Sequence, residues 1–217
     1  MDPAGGAITD ASTDAATATA VAGAVEAAVA AFIAEPFYRH LFGHVTRDPV
    51  RYRQLLGAYF QYAFGEARRL GHLELAAAGR GVAAWLHPLA RAEDAAASAA
   101  KRTFLGEELG PAVLSAYTRL VTSMHAHSAM AVPAAGWYLS ILAVAPAAQG
   151  RGLGAALLAP TLAELDAEGT PAWLETTTWR NVRFYERLGF VTRRIYTEPV
   201  AGTPYWVMVR EARVGSP

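Results

Sequence analysis

The chain contains no cysteine. That excludes disulfides, zinc–thiolate centres and thiol nucleophiles together. It also lacks an excess of either charge: 19 basic and 19 acidic residues give a formal net charge of zero. There is therefore no electrostatic case for nucleic acid or an anionic membrane as partner. No apolar run is long enough to span a bilayer. The N-terminus lacks the basic and apolar regions of a secretory signal. A soluble, cytoplasmic protein is the expectation. His125-Ala126-His127 has no carboxylate or third histidine near it in sequence, so no metal is expected there.

What is present is enough for one α/β domain with a sizeable core, because 217 residues do not readily divide into two. Apart from Met1 and Pro3, residues 1–20 are Ala, Thr, Asp, Ser and Gly with Ile8 as the one large apolar residue before Val21. They read as a disordered tail, and residues 21–217 as a single domain. Val25, Val29, Phe32 and Ile33 recur at helical spacing over Val21 to Ala34, up to Pro36. Asp48 with Pro49 predicts the capped start of a helix running to about Arg69. Its face of Leu55, Leu56, Tyr59, Phe60, Tyr62 and Phe64 is core, or in part the wall of a substrate pocket. His72–Ala78 and Val82–His87 read as a hairpin, and Arg91–Leu105 and Gly110–Ser123 as helices. A strand over Tyr138–Val144, a helix over Gly152–Ala167 and a strand over Ala172–Thr177 follow. The two strands are expected to be parallel through a right-handed crossover. A short helix over Asn181–Leu188 and an antiparallel pair, Phe190–Thr197 with Tyr205–Arg210 around Pro199–Pro204, close the chain. The class is α/β (α+β), a mixed central sheet with helices on both faces.

The connection Gln149-Gly150-Arg151-Gly152-Leu153-Gly154-Ala155 joins the first of those parallel strands to its helix. Three glycines at alternate positions allow positive φ and close approach to the main chain. The helix start leaves N–H groups without intrahelical acceptors at the positive end of a dipole, a setting that suits phosphate. A dinucleotide fingerprint would require an acidic residue about 20 positions on, at the end of the next strand. That strand ends in Thr176-Thr177-Thr178 instead.

A second constellation is Glu175-Thr176-Thr177-Thr178-Trp179-Arg180-Asn181-Val182-Arg183-Phe184-Tyr185-Glu186-Arg187-Leu188-Gly189-Phe190. Asn181 and Tyr185 are four apart and share a helix face. The spacing Gln149-x-x-Gly152-x-Gly154, together with Asn181-x-x-Phe184-Tyr185-Glu186-Arg187-Leu188-Gly189-Phe190, resembles the GNAT superfamily of acetyl-CoA-dependent N-acetyltransferases. The stretch from Trp137 to Gly189 is most similar to the puromycin N-acetyltransferase group. Weaker similarity reaches Ala31-Phe32, Arg39-His40 and Val82-Ala83-x-Trp85. The segment Ile33-Ala34-Glu35-Pro36-Phe37-Tyr38 departs from that group.

The resemblance implies a splayed pair of parallel strands holding acetyl-CoA as co-substrate, with no metal. Its cofactor residues would be Leu142, Ala143, Val144, Gln149, Gly150, Arg151, Gly152, Leu153, Gly154, Ala155, Asn181 and Tyr185. Pantetheine would lie beside Leu142-Ala143-Val144 like an added strand. Tyr185 is the candidate acid for the leaving thiolate, and Glu175 the candidate base for the incoming amine. Packing for Tyr185, and an edge charge paired with Arg180 or Arg194 for Glu175, are the alternatives. Tyr38, Trp85, Tyr138 and Glu175 are the candidate substrate residues, with Trp179, Tyr196, Tyr205 and Trp206 as further aromatics. The expected partner is a small-molecule amine, antibiotic or natural-product-like, with a homodimer as the candidate assembly. Protein N-termini or lysines are the alternative acceptors. A non-catalytic acetyl-CoA sensor is the alternative from another class.

Overall fold

The computed structural model describes residues 11–197 and 202–213, so the Pro199–Pro204 connection lies partly outside the described residues. Helix α1 covers Ala11–Phe32 and starts about ten residues earlier than its apolar pattern suggests. The segment is alanine-rich, and alanine favours helix without needing a buried face. Of the tail read over residues 1–20, residues 1–10 lie outside the described residues, and from Ala11 the chain is helical.

Glu35 caps the short α2 (Pro36–Leu41) by accepting from the Phe37 N–H. Asp48 caps α3 (Pro49–Leu70) by accepting from the Arg51 N–H at 3.0 Å. Strands β1 (Gly71–Leu75) and β2 (Gly81–Leu86) form the expected hairpin. Then come α4 (Arg91–Phe104), one π turn over Leu105–Leu109, and α5 (Pro111–Ser128). The chain continues through β3 (Trp137–Val144), α6 (Leu153–Glu168), β4 (Ala172–Thr176) and α7 (Trp179–Arg187). It ends with the antiparallel strands β5 (Val191–Thr197) and β6 (Pro204–Arg210).

The six strands form one mixed sheet in the order β1-β2-β3-β4-β6-β5, parallel only between β3 and β4. Helices cover both faces, as expected. On one face α1, α2, α3, α5 and the π turn bury Phe60, Phe64, Leu105 and Leu120 against Val82, Ala84, Ile141 and Ala143. On the other, α6 and α7 bury Leu158, Leu165 and Val182 against Trp85, Leu139, Ala172 and Leu174. α1 seats on the β1–β2 turn through two glycines. A Cβ on Gly79 (φ +63°) would stand 2.6 Å from the Gly23 Cα, so only glycine satisfies both the turn and the contact.

Two pairings decide where the site lies. β3 and β4 pair only over Trp137–Leu139 and Ala172–Leu174, although both strands continue. On its other side β3 meets β2 with a register shift: Ile141 faces Ala84, but Leu139 faces Trp85. Ser140 is the extra residue of a β-bulge, and a bulge inverts the alternation of a strand. Leu139 accordingly packs toward α6 and α7, whereas Ile141 and Ala143 pack toward α1 and α3.

The C-terminal end of β6 is locked by Arg210. Its Nη1 and Nη2 donate to the two carboxylate oxygens of Asp166 at 2.8 and 2.6 Å, and its Nε donates to the Leu188 carbonyl at 3.0 Å. One buried guanidinium thus ties the ends of α6 and α7 to the sheet. Hydrogen bonding from Arg210, against some loss of solvation, holds the Asp166 carboxyl below its ordinary value. Asp166→Asn is expected to cost about 1–3 kcal/mol in urea unfolding at pH 7. Because the folded-state value is the lower one, this contribution is complete above the unfolded value of about 3.9. It fades as pH falls through the folded value, so wild type and variant converge in acid.

Candidate active site

The bulge and the parted strands together leave an unpaired main-chain edge. The Ala145 N–H donates back to the Arg80 carbonyl on the β2 side. Strand alternation therefore turns the N–H and C=O of Val144, and of Leu142 before it, toward the gap where β4 has left. Ala143, expected alongside them, has its side chain buried under α1 and α3 and its main chain directed to β2. Gln149 does not extend into open space. Its Nε2 donates to the Val144 carbonyl at 3.0 Å and holds the end of the strand.

The glycine loop follows directly. Gly150 (φ +75°) and Gly152 (φ +80°) are both left-handed, and a Cβ at either would meet nothing within 4 Å. The conformation calls for glycine, and the space beside the loop is open. Gly154 differs: it has no positive φ, and a Cβ there would approach the Phe184 ring at 3.3 Å. Its role is helix-to-helix packing. Gly152 caps α6, and the first helical bond runs from the Ala156 N–H to its carbonyl. The N–H groups of Leu153, Gly154 and Ala155 thus precede the first intrahelical donor. Arg151 is exposed at the turn. These features fit a diphosphate at the loop with a pantetheine arm in the gap.

A cavity of about 300 Å³ runs from this gap into the α1–α5 face. Leu142, Asn181 and Tyr185 line it, together with Tyr38, Tyr59, Lys101, Tyr117, Tyr138, Trp173, Glu35 and Glu175. The bulge explains how Tyr138 comes to be here. Tyr138 and its partner Trp173 stack with centroids 4.1 Å apart on the α1–α5 face, one residue pair before the strands separate. Glu175 is two residues further along β4 on the same face.

Glu175 is not an edge charge, and it makes no ion pair with Arg180 or Arg194 among the described residues. Its Oε2 accepts from the Tyr138 hydroxyl at a long 3.5 Å, and its Oε1 is buried with no partner. Burial raises this carboxyl to about 7, opposed by the Tyr138 hydrogen bond. Tyr185 lies on α7 with its ring edge-on to Phe184 and Phe190, and burial pushes its phenol well above 10. The Asn181 Nδ2 donates to the Thr176 Oγ1 at 3.3 Å, fastening the first turn of α7 to the end of β4.

Of the candidate substrate residues, Tyr38, Tyr138 and Glu175 line the cavity. Trp85 does not. It is fully buried on the α6–α7 face, because β2 alternates and Trp85 shares its side with Ala83. Tyr205 lines the cavity, Tyr196 donates to the His127 carbonyl at 3.0 Å, and Trp179 is exposed beside Trp206.

Glu35, Tyr117 and Lys101 are among the cavity residues that escaped sequence reasoning. Glu35 accepts from the hydroxyls of Thr177 and Thr178 and so bridges the α1–α2 junction to the β4–α7 connection. Its non-matching segment gave no signal. Tyr117 and Lys101 sit on helices whose sequence periodicity does not mark them for the site.

The site thus combines a mixed sheet with two parting parallel strands, a glycine turn after one of them and a cavity lined by residues of both. Residues 112–192, from α5 to the start of β5, match the family model described as "Acetyltransferase (GNAT) domain". A Corynebacterium glutamicum structure described as "histone acetyltransferase HPA2 and related acetyltransferase" shares the fold. It has 24% identity and a TM-score of 0.59, over 91% of this chain and 93% of that one. The Escherichia coli ribosomal-protein-S18-alanine N-acetyltransferase is similar at 28% identity and a TM-score of 0.33, over 37% of this chain and 57% of that one. A nourseothricin acetyltransferase is similar at 24% identity and a TM-score of 0.32, over 36% and 50%. The two partial overlaps carry no argument about the acceptor. The matched domain and the fold support an acetyl-CoA-dependent N-acetyltransferase. Among the described residues, no helix is long and apolar enough to cross a membrane.

The Tyr138–Glu175 contact is directly measurable. Since that hydrogen bond lowers the carboxyl against the effect of burial, Tyr138→Phe should move Glu175 further above 7. A carboxyl-carbon NMR titration reads the shift. An unchanged titration would remove Tyr138 as a partner of Glu175.

Proposed function

We propose that this protein transfers the acetyl group of acetyl-CoA to the amine of a small molecule by direct attack in a ternary complex. Residues 21–217 are read as one acetyltransferase domain. The observation that carries this reading is the unpartnered Glu175 Oε1 in the same cavity as Tyr185, at the mouth of the β3–β4 gap. The helices α1, α2, α3 and α5 wall the far side of that cavity. Such a chamber favours a small acceptor over an extended polypeptide. The resemblance of Trp137 to Gly189 to the puromycin N-acetyltransferase group favours an antibiotic or natural-product-like amine.

When bound, acetyl-CoA supplies an electrophilic thioester carbon. The N–H groups of Gly150 to Ala155 hold its diphosphate, with Arg151 beside them. The outward N–H of Leu142 or Val144 donates to the carbonyl oxygen as negative charge grows there, a contribution typically worth about 3–4 kcal/mol. An alkyl amine arrives protonated, since its ordinary pKa is about 10. Glu175 accepts that proton, and a carboxylate raised to about 7 is better matched to this step than an ordinary one. The freed nitrogen forms its bond to carbon, the carbon–sulfur bond breaks, and the sulfur takes the electron pair. Tyr185 faces the sulfur. Its phenol, already weaker than a thiol by about 1.5 units in water, is weakened further by burial. It therefore acts by donating a strong hydrogen bond to the thiolate, while the second proton lost by the nitrogen passes through water to the sulfur.

Two outcomes follow for a thiol-release assay with an amine panel. Turnover should rise as pH increases through about 7, and Glu175→Gln should be slow and lack that inflection. An unaltered profile would place the base elsewhere. Tyr185→Phe should lower kcat by about 10- to 100-fold, the scale of one hydrogen bond to a charged group, with little effect on the KM for acetyl-CoA. An unchanged kcat would remove Tyr185 from the chemistry.

A further inference from the structure

Lys101 is the only lysine in the chain, the remaining 18 of its 19 basic side chains being arginine. It projects from α4, a helix on which no residue is fully buried, and lines the acceptor cavity. Its side chain is 15% exposed and that of its partner Glu66 on α3 is 7% exposed. Nζ donates to the Glu66 Oε2 at 2.7 Å and lies 5.9 Å from the centre of the Tyr117 ring. An ammonium has three donors, and no other hydrogen bond to Nζ exists among the described residues. Burial disfavours its charge, and the hydrogen-bonded Glu66 carboxylate opposes that and keeps the group protonated.

Stability alone does not explain this arrangement. Well-packed apolar residues commonly replace a buried ion pair at no cost, and an arginine fork would satisfy more acceptors if only a helix-to-helix tie were needed. The cavity is thus polarised. Glu175 Oε1 waits on β4, an ammonium with open donors stands on α4, and Tyr38, Tyr59, Tyr117 and Tyr138 lie along the walls.

We propose that Lys101 sets acceptor specificity: it receives an oxygen acceptor on the tail of a flat monoamine and excludes amines with a second cation. This rests on the cavity being the acceptor chamber, as in the proposed function. The amine end goes to Glu175, the aromatic body lies among the tyrosines, and a tail hydroxyl or carboxylate meets the two open donors of Nζ. A second ammonium there would meet like charge in a site shielded from solvent, which is costly. Diamines and polyamines are therefore poor acceptors.

Four matched probes test this with the full chain and acetyl-CoA: phenethylamine, tyramine, 4-(2-aminoethyl)benzoate and 4-(aminomethyl)phenethylamine. The tail-oxygen amines should exceed phenethylamine by about tenfold or more in kcat/KM, the scale of a charge-assisted hydrogen bond. The dication should fall below it by a similar factor. In Lys101→Met, and in Lys101→Met combined with Glu66→Gln so that no lone carboxylate stays buried, those ratios should collapse toward one. The change should appear in KM rather than kcat, which a purely structural tie would not produce. Lysine-selective ¹³C labelling gives a single Cε resonance. It should move with the tail-oxygen amines added to the coenzyme A complex and not with phenethylamine. Equal use of all four amines, or ratios preserved in both variants, would overturn the role of Lys101 while leaving the acetyltransferase reading intact. No turnover of any probe, with a Cε resonance blind to all of them, would overturn both.

Discussion

Strands β3 and β4 share only three paired positions before they separate, and the rest of the site depends on that parting. Parallel strands side by side would have used every N–H and C=O of Leu142 and Val144 and closed the sheet. The bulge at Ser140 matters as much as the separation. It inverts the alternation of β3, so the edge left open carries outward-facing main chain at Leu142 and Val144, and Ile141 and Ala143 turn into the α1–α3 core. Without that one extra residue the same sequence would direct its hydrogen-bonding groups differently at the gap.

A gap through a sheet connects two surfaces of different chemistry. On the α6–α7 side are the glycine turn, the helix start and Tyr185, where we propose that the phosphates and sulfur of the acetyl donor lie. On the α1–α5 side are aromatic rings, the Glu175 carboxyl and one paired ammonium. Glu35 joins the two sides through Thr177 and Thr178, and Asn181 joins α7 to Thr176. Burial raises the Glu175 carboxyl and weakens the Tyr185 phenol. The same seclusion that suits the carboxylate to accept a proton near neutrality makes the phenol a donor of hydrogen bonds.

Much of this was legible in the sequence. Apolar runs between turn residues located all six strands, and capping residues most helix boundaries, with Asp48-Pro49 acting as expected. Gly150 and Gly152 announced their positive φ through the only residue type that adopts it freely. What remained hidden was hidden for physical reasons. A bulge is one ordinary residue, Ser140, in an apolar run, and nothing in the run marks which residue is extra. Trp85 looked like a pocket wall because an amphipathic aromatic suits either place, and only the alternation of β2 assigns it to the core. Lys101 lies on a helix with polar periodicity, and its inward reach depends on Glu66, 35 residues away. The alanine-rich start of α1 carries no apolar stripe to announce it, because alanine needs none.

Hydrogen–deuterium exchange, read residue by residue with and without coenzyme A, tests the central claim most directly. The account predicts that the ligand protects the amides of Leu142 and Val144 at the parted edge, together with Gly152 to Ala155 at the start of α6. Binding that leaves Leu142 and Val144 exchanging as before, or no binding at all, would contradict it.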